Sequence, residues 1–194
     1  VIDNIALGPS IGGVRVSLDV TVGEVKRLAR TMTLKNSIAG LPHGGGKAGI
    51  IADPLSPEKE RYFRLFARAI KDLKEYIPGP DMGSNEECMA WIYDEIGRAV
   101  ALPEEIGGIP LDRLGSTGYG IAQCAEVACP HADIELKGAK VAIQGFGSVG
   151  RAAAKFLSEK GAVIVAVSDT KGCLFNPDGI DVKEMIDVKE QTGS

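Results

Sequence analysis

The sequence has no run close to the roughly 20 consecutive apolar residues of a membrane span, so no transmembrane segment is expected. Its start, Val1-Ile2-Asp3-Asn4, shows neither a basic stretch nor a cleavage-site pattern, and no signal peptide is read there. It also lacks an initiator Met, which suggests a piece of a longer chain. Basic residues are not in excess: 22 Lys and Arg against 26 Asp and Glu give a net charge of −4. That balance argues against a nucleic-acid partner, which calls for a basic stripe. The four cysteines, Cys88, Cys124, Cys129 and Cys173, form no CxxC pair, and two histidines cannot complete a metal set by spacing. No metal site is expected, and buried, reduced thiols in a cytoplasmic protein are the expected state. Aromatic residues are scarce at 5%, yet 44% hydrophobic residues are enough for a real core.

Glycine is abundant, with 25 of the 194 residues, and it is clustered. Around the clusters the pattern alternates between strand and helix. Val14 to Leu18 alternates apolar and polar, as a half-exposed strand does. Thr21 and Glu24 form a capping box, followed by Val25, Leu28, Ala29 and Met32 on one helical face. Ala48 to Ala52 reads as a short buried strand. Ser56-Pro57 opens a second helix, which Pro78 and Pro80 end in a stiff turn. Ser84 to Glu87 is a second capping box, with Met89, Ile92, Tyr93 and Ile96 behind it. Residues 101–115 read as a connection, and a new unit begins near Gly115.

In that second unit, strand Val141 to Ile143 runs straight into Gly145-Phe146-Gly147-Ser148-Val149-Gly150. A helix over Arg151 to Glu159, closed at Gly161, leads to strand Val163 to Val167 and then Asp169. GxGxxG alone is a weak signal, but here strand, helix, second strand and terminal acid are all in place. Gly145 allows the turn, Gly147 lets a pyrophosphate approach, and Gly150 permits close helix packing. Ser148 and Val149 lie within this loop, and the N–H groups of the helix N-terminus that follows favour phosphate. Asp169 suits the ribose hydroxyls of NAD and repels a 2′-phosphate, although Lys171 blurs that preference. The alternative for Asp169 is a turn residue before Gly172.

The first glycine cluster, Gly44-Gly45-Gly46-Lys47, is not a P-loop: Leu41 and Ala48 occupy positions that need Gly and Ser or Thr. The glycines strip side chains from around Lys47, which makes room for a substrate. Lys35 lies twelve residues earlier, and Asp81 follows Pro78-Gly79-Pro80. Two lysines and one aspartate suit an anionic substrate that must exchange protons.

Several stretches in register resemble the Glu/Leu/Phe/Val amino-acid dehydrogenase family. They are Gly8-Pro9-Ser10-Ile11-Gly12-Gly13-Val14-Arg15, Met32-Thr33-Leu34-Lys35-Asn36, Leu41-Pro42-His43-Gly44-Gly45-Gly46-Lys47 and Pro80-Asp81. Asn85, Met89-Ala90-Trp91, Ser116-Thr117-Gly118-Tyr119-Gly120 and Ala166-Val167-Ser168-Asp169 continue the likeness over nearly the whole chain. The resemblance implies an α/β fold: a substrate domain over 1–114, then the first part of a Rossmann dinucleotide-binding domain over 115–194. It implies reversible oxidative deamination of an L-amino acid with NAD or NADP, giving a 2-oxo acid and ammonia. Lys47 is then the catalytic lysine and Asp81 the proton-shuttling aspartate. Lys35 binds the α-carboxylate, Gly13 and Ile11 line the substrate, and Thr117 lies near the nicotinamide. A homo-oligomer, a hexamer in the family, is implied as well. So is a chain truncated at both ends, which would be inactive alone. Lys35 close to Lys47, together with burial, is expected to lower the Lys47 pKa.

Glutamate-specific members of the family carry Lys where this chain has Ile11. Isoleucine cannot compensate a buried carboxylate, so Ile11 favours an apolar substrate. The segments around Asp81, Met89-Ala90-Trp91 and Ser168-Asp169-Thr170-Lys171-Gly172 resemble the glutamate branch instead. His43 is read as packing, and Ser148 stands where many members have Asn. A non-catalytic nucleotide-binding or assembly module is the competing reading.

Overall fold

The computed structural model describes residues 1–193, with the side chain of Asp112 excepted. The chain forms two compact units, Val1–Pro110 and Leu111–Ser194. The boundary falls ahead of residue 115 because a short helix, Leu111–Leu114, packs on the helix that follows it.

The first unit is built around strand β2, Ser10–Val16. On one side of it run β3, Gly44–Gly46, and β4, Ala48–Ile50, both parallel to β2. On the other side runs β5, Tyr76–Pro80, also parallel. Strand β1, Ile2–Asn4, closes the far edge antiparallel to β3. Helix α1, Val22–Ile38, covers one face of this sheet. Helices α2, Lys59–Ala69, and α3, Glu86–Ile96, bury Phe63, Ala67, Met89 and Ile92 with Val14, Val16, Ala48 and Tyr76 on the other.

Several expectations are corrected here. The triple glycine is a strand, and its purpose is close packing. A Cβ on Gly45 would run into α1 at Thr33, and one on Gly46 would meet the Tyr76 ring and Ser10. Pro78-Gly79-Pro80 is a strand rather than a turn. Proline is tolerated because β5 is an edge strand, where a missing N–H disrupts no ladder. The helix predicted from Ser56-Pro57 starts at Lys59, after a turn in which Lys59 N–H donates to the Ser56 carbonyl. The second capping box fails: Asn85, not Ser84, caps α3, its Oδ1 accepting from Cys88 N–H. The first box forms halfway. Thr21 Oγ1 accepts from Glu24 N–H, but the Glu24 carboxylate turns to Arg15 instead of back to the cap. Tyr93, expected in the buried stripe, is exposed.

The second unit carries α4, Leu111–Leu114, and α5, Ser116–Ala128. Strand β6, Lys140–Gln144, leads to α6, Ser148–Glu159, and then to β7, Val163–Ser168. Strands β6 and β7 pair in parallel through this helix, forming the predicted βαβ unit. The helix begins at Ser148, three residues earlier than the sequence suggested. Strand β8, Cys173–Phe175, pairs antiparallel with β7, and α7, Val182–Thr192, follows. Gly118 is buried where α5 crosses α6, since any side chain there would overlap the Ala152–Ala153 backbone. The core holds Ala122, Phe146, Ala154, Leu157, Ile164 and Val167. All four cysteines are free thiols, but of these only Cys88 is buried as expected: Cys129 is half-buried, and Cys124 and Cys173 are exposed. Among the described residues no helix is long and apolar enough to cross a membrane, and no cluster of metal-ligating side chains forms.

Candidate active site

Register places the site. Ser10 pairs with Gly44 and Val14 with Ala48 on one side of β2, at one constant offset. The same register carries Lys47 opposite Gly13. On the other side Ser10 pairs with Tyr76 and Val14 with Pro80, which brings Asp81 opposite Arg15. Side chains alternate along a strand, and paired residues of parallel strands share a face. Ile11, Gly13, Arg15, Lys47 and Asp81 therefore stand on one face of the sheet, away from the Val14–Val16 core. That face is the one α1 covers.

Gly13 lies between the lysine and the aspartate with no side chain to separate them. A Cβ there would sit 2.6 Å from Asp81 Cβ and 2.7 Å from the Pro80 carbonyl oxygen. Lys47 Nζ donates to Asp81 Oδ1 at 2.5 Å, and Arg15 Nε donates to Asp81 Oδ2 at 2.8 Å. Arg15 Nη1 in turn donates to Glu24 Oε1 on α1 at 2.5 Å. The four groups alternate in charge along one line of contacts. The Lys47 side chain is only 6% exposed and that of Asp81 18%. Burial alone would push the Asp81 carboxyl up. The hydrogen bonds and charges of Lys47 and Arg15 outweigh it and hold the group below the usual carboxylate range.

Three supporting residues were not singled out from the sequence. Arg15 and Glu24 form the outer half of the charge line, and Tyr76 Oη, buried, donates to the Gly12 carbonyl at 2.8 Å. Burial and the Asp81 charge raise the Tyr76 pKa far above its ordinary value. Ser84, expected as a cap, serves Asp81: its Oγ accepts from Asp81 N–H at 2.8 Å and donates to the Val14 carbonyl at 2.8 Å. The signals were faint: an Arg two residues past a glycine pair, and a Ser three residues past an Asp.

Lys35 is exposed in the last turn of α1, on the helix that covers this face. Lys47 is paired with the Asp81 carboxylate, a partner the sequence did not assign to it. Ile11 is half-buried, in register between Gly45 and Ile77. His43 Nδ1 lies within hydrogen-bond distance of the Pro9 carbonyl oxygen, at 3.0 Å, and so ties the segment before β3 to the one before β2.

In the second unit Gly145, with φ +92°, makes the turn, and Gly150 is buried where a Cβ would overlap the Gly145 carbonyl. Gly147 faces open space and precedes α6 without a side-chain cap. The first N–H groups of α6, at Ser148 and Val149, are thus uncapped by any side chain and exposed, as a pyrophosphate site requires. Thr117 lines a small cleft together with Ser148 and Val149.

A cavity of about 270 Å³ lies at the end of β7, lined by Phe146, Asp169, Lys171, Met185 and Lys189. Asp169 Oδ1 accepts from the N–H groups of Lys171 and Gly172 and so shapes the turn that follows β7. Its Oδ2 accepts from Lys189 Nζ at 2.6 Å. These contacts, Lys189 first, hold its carboxyl well below the usual range.

Residues 1–98 match the family model of the Glu/Leu/Phe/Val dehydrogenase dimerisation domain. Residues 107–194 match that of Glutamate/Leucine/Phenylalanine/Valine dehydrogenase. The chain belongs to the Glu/Leu/Phe/Val dehydrogenase family. It is 45% identical to a glutamate dehydrogenase of Aeropyrum pernix, covering 98% of this chain and 49% of that protein. The catabolic NAD-specific glutamate dehydrogenase of Bacillus subtilis is 42% identical, with 98% and 48% covered. The NADP-specific glutamate dehydrogenase of Saccharolobus shibatae shows the same identity and coverage. Among solved structures, a hetero-hexameric glutamate dehydrogenase of Thermus thermophilus in a Leu-bound form superposes with a TM-score of 0.87 at 36% identity. That match covers 98% of this chain and 49% of the other. The chain spans about half the length of the curated relatives it matches. These relatives are named for glutamate, so the preference for an apolar substrate drawn from Ile11 finds no support among them.

Proposed function

We propose that the protein performs reversible oxidative deamination of an L-amino acid, with NAD or NADP, to a 2-oxo acid and ammonia. The observation that carries this reading is the buried Lys47–Asp81 pair standing over Gly13 on one face of the sheet. Lys47 places a desolvated ammonium where an oxyanion develops as water adds to the imino carbon. Asp81 exchanges protons with the substrate nitrogen through Oδ1, the oxygen that faces Lys47. Lys35 binds the α-carboxylate from the end of α1, and the backbone at Gly13 lets the substrate lie close to the sheet. The unit Val1–Pro110 serves as the substrate domain, and the unit from Leu111 on carries the cofactor loop.

When bound, the dinucleotide would supply the acceptor for the hydride that leaves Cα. The loop of Gly145, Gly147, Ser148, Val149 and Gly150 would hold the pyrophosphate, with Gly150 packing the helix against the turn, and Thr117 would face the nicotinamide. Asp169 would hold the adenosine ribose hydroxyls, exchanging for them its contacts with Lys189 or the turn N–H groups. Relatives include both NAD-specific and NADP-specific enzymes, and either cofactor suits this reading. The match to a dimerisation domain and the hexameric neighbour support an oligomer, for which we take a homo-hexamer. Free thiols suit the cytoplasm.

Glutamate is the substrate that the relatives' names support. A second reading, an apolar amino acid, rests on Ile11, which stands on the site's face and offers no charge to a side-chain carboxylate. The test is turnover of the complete gene product with glutamate, leucine, phenylalanine and valine, reading ammonia and reduced cofactor. Ile11→Lys raises kcat/KM for glutamate if the apolar reading holds. Cofactor binding by thermal shift without turnover of any amino acid would favour the non-catalytic module.

A further inference from the structure

Asp81 has two carboxylate oxygens, and the structure assigns them different partners. Oδ1 meets Lys47 and Oδ2 meets Arg15. From this division we infer that Arg15 is a positioning residue. It locks one oxygen of Asp81, fixes the plane of the carboxylate, and leaves Oδ1 as the only oxygen through which Asp81 exchanges protons. The inference rests on the proton-transfer role proposed above for Asp81.

Arg15 is well placed for this task. It stands two residues past Gly13 on the same face of β2, directly opposite Asp81 in register. Its side chain is 17% exposed, and its second nitrogen is tied to Glu24 in the first turn of α1. The guanidinium is thus held between two elements, and its planar fork cannot rotate away from Asp81 without losing Glu24. The charged and titratable groups around Asp81 are Lys47 beyond β3, Arg15 on β2, Glu24 on α1 behind Arg15, and Tyr76 on β5. Two cations against one shielded anion favour the ionised carboxylate. When Lys47 turns toward substrate, Arg15 remains, so Asp81 stays anionic and aimed until the substrate nitrogen supplies a proton.

The test is a titration of the Asp81 carboxyl carbon by NMR in the protein, its Arg15→Gln variant and its Arg15→Lys variant. Removing a cation within hydrogen-bond distance raises a carboxyl pKa by roughly 1–3 units. Arg15→Gln is therefore expected to raise the Asp81 midpoint by about 1 pH unit or more, and Arg15→Lys by less, since it keeps the charge but loses the fork. An unchanged midpoint in folded Arg15→Gln overturns the inference. If Arg15→Gln does not fold, Arg15→Lys decides, and an unchanged midpoint there overturns it. In the complete gene product the acid limb of kcat/KM is expected to move upward with the midpoint. A midpoint that moves while the acid limb stays would remove Asp81 from proton transfer and leave its coupling to Arg15 standing.

Discussion

Lys47 Nζ reaches Asp81 Oδ1 at 2.5 Å from the opposite side of β2, and it passes over Gly13 to do so. The two residues lie 34 positions apart in sequence, Lys47 between β3 and β4 and Asp81 just past β5, on opposite sides of β2. Only the glycine in the strand between them lets the pair close.

Gly13→Ala is the direct check on that geometry. Its methyl group would meet Asp81 Cβ at 2.6 Å, so the carboxylate must shift away from Lys47. Displacing a reacting group by about 1 Å can cost roughly 10²-fold in rate. The expected outcome in the complete gene product is a kcat lower by about that factor, with destabilisation of about 1–3 kcal/mol from overpacking. A normal kcat with a normal Tm would show that the approach over Gly13 is not needed.

Lys47→Ala removes the ammonium and leaves Arg15 as the cation paired with Asp81. Loss of assistance of the acid–base kind lowers kcat by roughly 10²–10⁴-fold. Steady-state kinetics of the complete gene product measure it, and near-wild-type kcat would take Lys47 out of the mechanism.

How much of this was legible in the chain depended on range. The βαβ unit was readable because β6, Gly145, α6 and β7 follow one another locally, and each glycine has a local duty. Lys47 and Asp81 stood out by residue type and resemblance, but their pairing depends on β2 lying between two distant strands. Arg15, Glu24 and Ser84 were missed for that reason. Glu24 and Ser84 carry capping signatures that tertiary partners override, since a buried carboxylate and guanidinium gain more from each other than from a helix cap. The Pro-Gly-Pro strand was misread because proline usually punctuates, and its edge position is not a local property.

Asp81 also makes stability depend on pH. Its folded pKa is depressed, so its contribution is fully present above the unfolded value of about 3.9 and is lost as pH falls through the folded one. Stability should therefore decline below about pH 4, as measured by urea unfolding. Asp81→Asn should remove part of that decline and cost about 3 kcal/mol at pH 7, the low end for breaking a buried pair. Glu95, held down to about 2 first by the hydrogen bond from Arg68, titrates in the same window. It is present in both proteins, so their difference isolates Asp81. Identical acid limbs would show that the Asp81 pair does not stabilise the fold.

Gly147 and Gly150 separate folding from cofactor binding within a single loop. A Cβ on Gly150 would overlap the Gly145 carbonyl, so Gly150→Ala must open the turn, and lower stability is expected along with lost binding. A Cβ on Gly147 meets nothing within 4 Å, and its φ of −84° suits any residue. Gly147→Ala should therefore keep the wild-type Tm. The same methyl group would stand where the pyrophosphate approaches the N-terminus of α6, so affinity for NAD⁺ or NADP⁺ should fall at least about tenfold, roughly 1.4 kcal/mol. Calorimetric titration of both variants with each cofactor reads the difference. If Gly147→Ala binds like the wild type, the dinucleotide does not lie against this loop.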